Sequence, residues 1–312
     1  MTTHTAGPPK AVTRPGDRIF AGLTLGSGWA ILAILAGVAT FLIWQALPAV
    51  TASPEDVRGG HGLIAYIAPL LFGTIVSATI AVLIAVPLSV GISLFISHYA
   101  PRRLAVFLGY LIDLLAAVPS LVYGLWGLSV LAPATVPLGM WLTKNFGWIP
   151  FFAGTPSATG RTMFTVGVVL AVMILPIMTA TMREIFLQTP RLHEEAALAL
   201  GATRWEMIWM AVFPFGRSGM VSATMLGLGR ALGETMAVAM ILSPSVDYTA
   251  RILTSSNPGT IAADIALNFP EVSGLDSNTL IAAGLALFAL TLTVNTVARW
   301  VVSRKSKFSG AN

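Results

Sequence analysis

The sequence contains no cysteine and few charged residues. Without cysteine the chain has no disulfide framework, no thiolate metal site and no cysteine nucleophile. Charged residues make up 10% of its 312 positions and hydrophobic residues 55%, whereas about 25% of an ordinary soluble domain is charged. So few charges do not cover a water-facing surface of this length. The composition therefore excludes an ordinary soluble enzyme and a disordered chain.

Long apolar runs predict an all-α, polytopic membrane protein. A transmembrane helix needs about 20 mostly apolar residues. Six segments meet this length, and each is predicted to span the membrane: 19–44, 63–96, 104–131, 162–182, 218–242 and 277–298. The apolar run of the first segment exceeds the core of a signal peptide, which has about 7–15 residues. We therefore interpret that segment as a retained signal anchor.

The distribution of basic residues predicts the orientation. The chain has 18 Lys and Arg against 13 Asp and Glu, and the basic residues form no patch of the kind that binds nucleic acid. Cytoplasmic loops of membrane proteins carry an excess of Lys and Arg. With both termini in the cytoplasm, the loops on the outer side hold only Arg58, Lys144, Arg161 and Arg251. Both termini are therefore predicted to be cytoplasmic.

The cytoplasmic loop between the fourth and fifth segments predicts a short helix, a turn and a second helix. Pro190 suits a first helical turn, and Glu194 and Glu195 then complement the helix dipole. Gly201 is expected to end the first helix in the left-handed conformation, and the second helix is expected to run to Pro214. A narrow helix of this kind suits a groove on another protein, or equally a hairpin packed on its own bundle.

Three ionisable residues lie inside the apolar segments: Asp113, Arg230 and Glu234. Charges at this depth are costly and usually face a bundle interior or a wet cavity. On a continuous helix, Arg230 and Glu234 would share one face and pair, either to hold helices together with Asp113 or to line an anion pathway. Arginine is always charged and matches phosphate oxygens. No histidine lies in these segments, so an intramembrane enzyme is not indicated.

Pro119 and Ser120 predict a bend in the third segment. Proline removes a backbone donor and disfavours helix at the preceding residue, and Gly124 and Gly127 follow within two turns. The bend is interpreted either as a tolerated kink with close helix packing or as a pathway element that moves during gating.

The cytoplasmic loop resembles the EAA loop of ABC importer permeases, which docks on the cytoplasmic ATPase. The matching residues are Glu195, Ala196, Ala197, Gly201 and Pro214. Ala211 and Phe213 depart from the Ile and Leu that the family pattern places before the proline. The resemblance implies that Glu195, Ala196, Ala197 and Gly201 couple the chain to an ATPase.

Segments 114–128 and 227–238 resemble the permeases of phosphate-type (Pst) ABC importers, and are nearer to PstC than to PstA. The resemblance implies the MetI-like permease fold, a phosphate pathway, and roles for Arg230 and Glu234 in phosphate passage. Two alternatives stay open. One is an importer of another oxyanion (sulfate, molybdate or phosphonate), and the other is the PstA-type sister subunit.

The same resemblance implies the partners. These are a PstA-like sister permease, two copies of a PstB-like ATPase and an extracytoplasmic PstS-like phosphate-binding protein, in the inner membrane of a bacterium or archaeon. The chain has no Walker A pattern, so no enzymatic activity and no cofactor are expected in it. ATP and Mg would bind the partner ATPase.

The expected organisation has four parts. Residues 1–18 form a cytoplasmic tail, 19–62 the first helix and an external loop, 63–303 the permease domain with the coupling loop at about 188–217, and 304–312 a second cytoplasmic tail. A passive channel or scaffold is a further alternative, which copurification of an ATPase would exclude.

Overall fold

The computed structural model describes residues 15–245 and 249–306, so residues 1–14 and 307–312 of the predicted tails lie outside it. It is helical apart from a short parallel pairing of β1 (Pro244–Ser245) with β2 (Asn257–Pro258). The helices are α1 (Pro15–Thr51), α2 (Leu63–Leu94), α3 (Arg102–Ala116), α4 (Ser120–Trp126), α5 (Ala132–Phe146), α6 (Met163–Leu187), α7 (Arg191–Ala199), α8 (Arg204–Met207), α9 (Phe213–Leu232), α10 (Met236–Ile241), α11 (Ile261–Asn268) and α12 (Leu275–Ser306). The predicted all-α class is confirmed.

Short turns of other helical types join several of these helices. π-helical turns follow α2 (Phe95–Tyr99), link α4 to α5 (Gly127–Leu131) and link α8 to α9 (Ile208–Val212). Two 3₁₀ turns, Pro150–Phe152 and Phe269–Glu271, lie outside the long helices.

Five helices in the described ranges are long and apolar enough to cross a membrane. They are Pro15–Thr51, Leu63–Tyr99, Ser120–Phe146, Met163–Leu187 and Leu275–Trp300. Four of them match the first, second, fourth and sixth predicted segments. The other, Ser120–Phe146, overlaps the end of the third predicted segment, 104–131, and extends beyond it. About six spans were expected; the third and fifth predicted segments each contain a break, so five helices meet this criterion in the described residues.

The break in the third segment, 104–131, falls at 117–119. Pro119 has no N–H to donate and disfavours helical backbone at Val118, so α3 and α4 are separate helices. The long apolar helix therefore begins after the proline and continues through the π turn to Phe146.

The break in the fifth segment, 218–242, separates α9 from α10 and contains no proline. Glu234 explains it locally, because its Oε1 accepts a hydrogen bond from the Ala237 N–H at 3.1 Å. A side-chain acceptor of this kind offers the backbone an alternative to the helical ladder. Pro214, in contrast, does not end the second cytoplasmic helix as predicted. It lies in the first turn of α9, after the π turn, where a missing N–H costs little.

α6 lies at the centre of the bundle. Leu170 and Met178 are fully buried, and the helix packs along α2 and α9. Gly167 meets Ile80 of α2 so closely that no Cβ would fit, and Gly227 of α9 meets Met178 in the same way. These glycines leave room for the Ile80 and Met178 side chains, so the three helices pack closely.

α1 and α12, the first and last helices, pack along each other. Ala46, Ala49 and Ala282 form the buried centre of this contact. Most other side chains of α1 are exposed and apolar, such as Phe20 and Trp29, as expected of a helix surrounded by lipid.

The segment that leads into α11 is anchored to α2. Gly73 leaves no room for a Cβ beneath the Gly259 carbonyl, and the Ile261 N–H donates to Thr74 Oγ1 at 3.0 Å. Tyr66 OH donates to Asp264 Oδ2 at 2.5 Å. Burial raises the pKa of the Asp264 carboxyl, and the hydrogen bond from Tyr66 opposes that shift.

Candidate translocation site and coupling surface

Two short helices that follow breaks, α4 and α10, cross in close contact. A Cβ added to Gly124 of α4 would lie 2.8 Å from the Ala237 Cα in α10, and one added to Gly127 would lie 2.7 Å from Ile241 Cδ1. Glycine at these positions lets the two backbones meet. The contact therefore brings the third and fifth segments together at their breaks.

Pro119 and Ser120 lie at the beginning of α4, as the predicted bend requires. Tyr123 is buried and its OH donates to the Leu115 carbonyl at 2.8 Å. This bond connects α4 to α3 across the break. The bend is thus held by a side chain of its own segment.

α10 is held at both ends by charged side chains. At its beginning, Glu234 accepts from the Ala237 N–H and is itself 8% exposed. At its end, Arg161 Nε donates to the Ile241 carbonyl at 2.9 Å, and Nη2 lies 3.4 Å from the Met240 carbonyl. A negative charge at the beginning of a helix and a positive charge at its end both complement the helix dipole. Glu234 and Arg161 therefore position α10.

Arg230 lies in the last turn of α9 and is half-buried. Its guanidinium lies within electrostatic range of the Tyr123 hydroxyl of α4. Among the residues that the structure describes, it forms no hydrogen bond or ion pair. Arginine stays charged in such surroundings, and its donors are available to an anion.

The prediction that Arg230 and Glu234 share one helix face and pair is wrong. The non-helical stretch Gly233–Thr235 separates them, and Glu234 binds backbone instead. Asp113, expected as a third member, is exposed on α3 and pairs with neither residue within 15–245 and 249–306.

The predicted short cytoplasmic helix is present as α7. Glu194 lies in its first turn, and Gly201 has a φ of 87°, the left-handed conformation that was expected. Thr203 and Glu206 then form a reciprocal capping box that begins α8. The first helix and the turn are therefore confirmed, and the second helix is present but continues past Pro214 instead of ending there.

The outer face of α7 is exposed. Glu195 and Ala196 are exposed while Ala197 faces the protein. Leu192 and Leu200 are 74% and 84% exposed. This face, defined by Leu192, Glu195, Ala196 and Leu200, is called the α7 surface below.

Sequence reasoning missed Arg161 and Tyr123. Arg161 was counted only as an external charge, and Tyr123 as part of a resemblance. Their partners, Ile241 and Leu115, are backbone carbonyls, which carry no residue-specific signal. Among the described residues no cluster of three His, Asp or Glu side chains has the arrangement of a metal site.

Comparison with known proteins gives concordant results. The family model described as "Binding-protein-dependent transport system inner membrane component" matches residues 89–307. The chain is 43% identical to the phosphate transport system permease protein PstC 2 of Mycobacterium tuberculosis, over 94% of this chain and 93% of that protein. It is 44% identical to PstC of Mycobacterium leprae, over 92% and 93%. It is also 44% identical to PstC of Xylella fastidiosa, over 77% and 74%.

Solved structures share the fold. A bacterial ABC transporter involved in import of the polysaccharide alginate matches with a TM-score of 0.58 and 14% identity, over 91% of this chain and 96% of that chain. The MetNI methionine ABC transporter matches with a TM-score of 0.50 and 17% identity, over 78% and 95%.

Proposed function

The chain belongs to the binding-protein-dependent transport system inner membrane components, and from this we propose that it is the transmembrane permease subunit of an ATP-driven phosphate importer. The observation that carries the proposal is the 43–44% identity to proteins named as PstC over most of the chain. The chain is a multi-pass membrane protein whose family works with an ATPase. ATP hydrolysis would occur on a partner, since this sequence has no Walker A pattern.

The partners proposed are those expected from the sequence: a PstA-like sister permease, two PstB-like ATPases and a PstS-like binding protein. The exposed α7 surface supports an ATPase contact. Leucines that are mostly exposed on a short helix are better explained by a partner groove than by water. Glu195, Ala196 and Ala197 would lie at that contact, with Gly201 setting its turn.

Arg230 is proposed as the transient anion contact. Its guanidinium is charged, half-buried and free of protein partners in the described residues, and a phosphate oxygen is a matching acceptor. Glu234 would act mainly by positioning α10 next to it. Its negative charge, in the same break, would also weaken anion binding and so favour release.

The test is uptake of radiolabelled phosphate by vesicles that contain all the subunits, with sulfate and molybdate as competitors. Arg230→Gln should abolish uptake while the assembled complex is recovered in full. Arg103→Gln, an exposed arginine on α3, is the matched control and should transport at the parental rate. Parental uptake by Arg230→Gln would remove this residue from the pathway, and uptake of sulfate or molybdate in preference to phosphate would overturn the substrate.

A further inference from the structure

The cytoplasmic end of α2 meets α7 through one histidine. The π turn Phe95–Tyr99 ends α2, with the Ala100 N–H bonded to the Phe95 carbonyl at 2.7 Å. A π turn inserts one residue into the helical ladder and re-aims the side chains that follow. Here it directs His98 towards α7, and the His98 side chain is only 9% exposed.

His98 bridges two elements that are distant in the sequence. Its Nε2 lies 3.5 Å from Glu194 Oε1 on α7, and its Nδ1 lies 2.7 Å from Ser97 Oγ. The Ser97 hydroxyl also contacts the Ser93 carbonyl at 2.8 Å. With a proton on Nε2, the imidazole faces the Glu194 carboxylate as a donor while its Nδ1 contacts the Ser97 hydroxyl.

The space around the His98–Glu194 contact, between the end of α2 and α7, is not filled by side chains. A pocket of about 250 Å³ lies between the end of α2 and α7. Beside His98 and Glu194, its polar and charged lining includes Tyr99 and Arg204. Ala197 is the buried residue of α7. The His98–Glu194 contact is thus a polar bridge across a gap and not part of a packed core.

α2 connects this bridge to the opposite end of the molecule. With its π turn it is a continuous helix of 37 residues, and at about 1.5 Å per residue it is roughly 55 Å long. Near its other end, Gly73 and Thr74 hold the segment that leads into α11. A displacement of α2 at His98 would therefore be carried to that segment.

We propose that His98 is a positioning residue for ATP-driven transport: its contact with Glu194 latches α7 to α2, so that movement of α7 is transmitted along α2. The proposal rests on the function proposed above. Without the latch, α7 would still dock on the ATPase through its exposed surface, but less of its movement would be transmitted to α2. ATP hydrolysis would then continue with less transport.

The first test is charge reversal in vesicles that contain the whole complex. His98→Gln and Glu194→Gln should each lower the phosphate transported per ATP hydrolysed by at least about fivefold, the lower end of typical coupling between sites, with normal recovery of the ATPase. The double variant His98→Glu/Glu194→Lys places opposite charges at the same two positions and should restore most of the ratio. Glu184→Gln, which removes the charge of an exposed carboxylate paired with Arg183, is the matched control.

The second test does not depend on the substrate. Because the chain has no cysteine, Leu198→Cys provides a single thiol in the wall of the pocket. Its alkylation rate should rise when either latch residue is replaced and fall again in the charge-reversed pair.

The outcomes separate the two proposals. If the single variants transport normally and the reporter thiol does not respond, the latch is disproved. It is equally disproved if the reversed pair behaves no better than His98→Glu alone, because the contact itself would then not matter. If the thiol responds to the latch variants as expected but the parental complex takes up no phosphate, the latch stands and the proposed substrate fails.

Discussion

Gly124 of α4 lies directly against the Ala237 backbone of α10, with room for a hydrogen but not for a methyl group. This contact joins the two broken segments through α4 and α10. We therefore expect that no larger residue replaces Gly124 without cost, because its side chain would collide with the backbone of α10.

Gly124→Ala should lower the stability of the complex and its transport rate. The added Cβ would lie 2.8 Å from Ala237 Cα, and backbone does not give way cheaply, so a cost of about 1–3 kcal/mol is expected. Gly91→Ala is the control, since nothing lies within 4 Å of a Cβ at that position in α2. Thermal unfolding of the purified complex measures both. Equal unfolding temperatures for the two variants would mean that the helices separate without cost.

Gly201→Val should impair docking of the ATPase. Its φ of 87° is strained for a residue with a side chain, and such strain costs about 1–3 kcal/mol. No atom lies within 4 Å of the added Cβ, so the effect is one of backbone conformation alone. Gly201→Asn, which tolerates the left-handed region better, is the graded control. Copurification of the ATPase with each variant is the measurement, and full recovery with valine would contradict the prediction.

Glu234→Ala and Glu234→Gln should differ. Alanine removes the acceptor for the Ala237 N–H, a loss comparable with that of a helix cap, about 0.5–2 kcal/mol. Glutamine keeps an oxygen acceptor but removes the charge. The glutamine variant should therefore assemble normally and show a lower half-saturation concentration with a lower maximal rate, because the anion is released more slowly. Uptake kinetics would refute this if the glutamine variant kept parental constants.

Stability that depends on Glu206 should be lost in acid. Hydrogen bonds from the Thr203 backbone and hydroxyl lower the pKa of the Glu206 carboxyl from its ordinary value of 4.5. The folded state therefore favours the charged form, and this contribution is complete above pH 4.5 and declines as the pH falls through the lowered value. The difference in unfolding temperature between the parental chain and Glu206→Gln should shrink below pH 4.5. A difference that stays constant would show that the charge has no part in the cap.

The helices of this fold are largely predictable because apolar runs dominate the sequence, but the breaks are less so. The first break is predictable from Pro119, because the missing N–H of a proline disrupts the helix at its own position. The second lies at Gly233, while Gly227 and Gly229 remain helical in the same stretch, so glycine alone does not distinguish them. The second break depends instead on the hydrogen bond from the Ala237 N–H to Glu234 and on the Arg161 side chain at the end of α10. Arg161 reaches α10 only after folding.

The candidate site follows the same rule. Gly201 and Glu194 are predictable because the turn and the first helical turn are local. The pairing of Arg230 with Glu234 was predicted from a spacing that holds only on an unbroken helix. The contact between His98 and Glu194 has no local signal, because it depends on how α2 and α7 meet in space.

The packing of α1 on α12 has a consequence for biogenesis. Ala46 and Ala49 of α1 have their buried partner, Ala282, in α12, and only partly buried side chains of α2, Leu63 and Ile67, pack against them as well. α1 therefore gains most of its packing only when α12 has been synthesised. A nascent chain that stops before Leu275 would carry a loosely packed α1, which quality-control proteases could recognise.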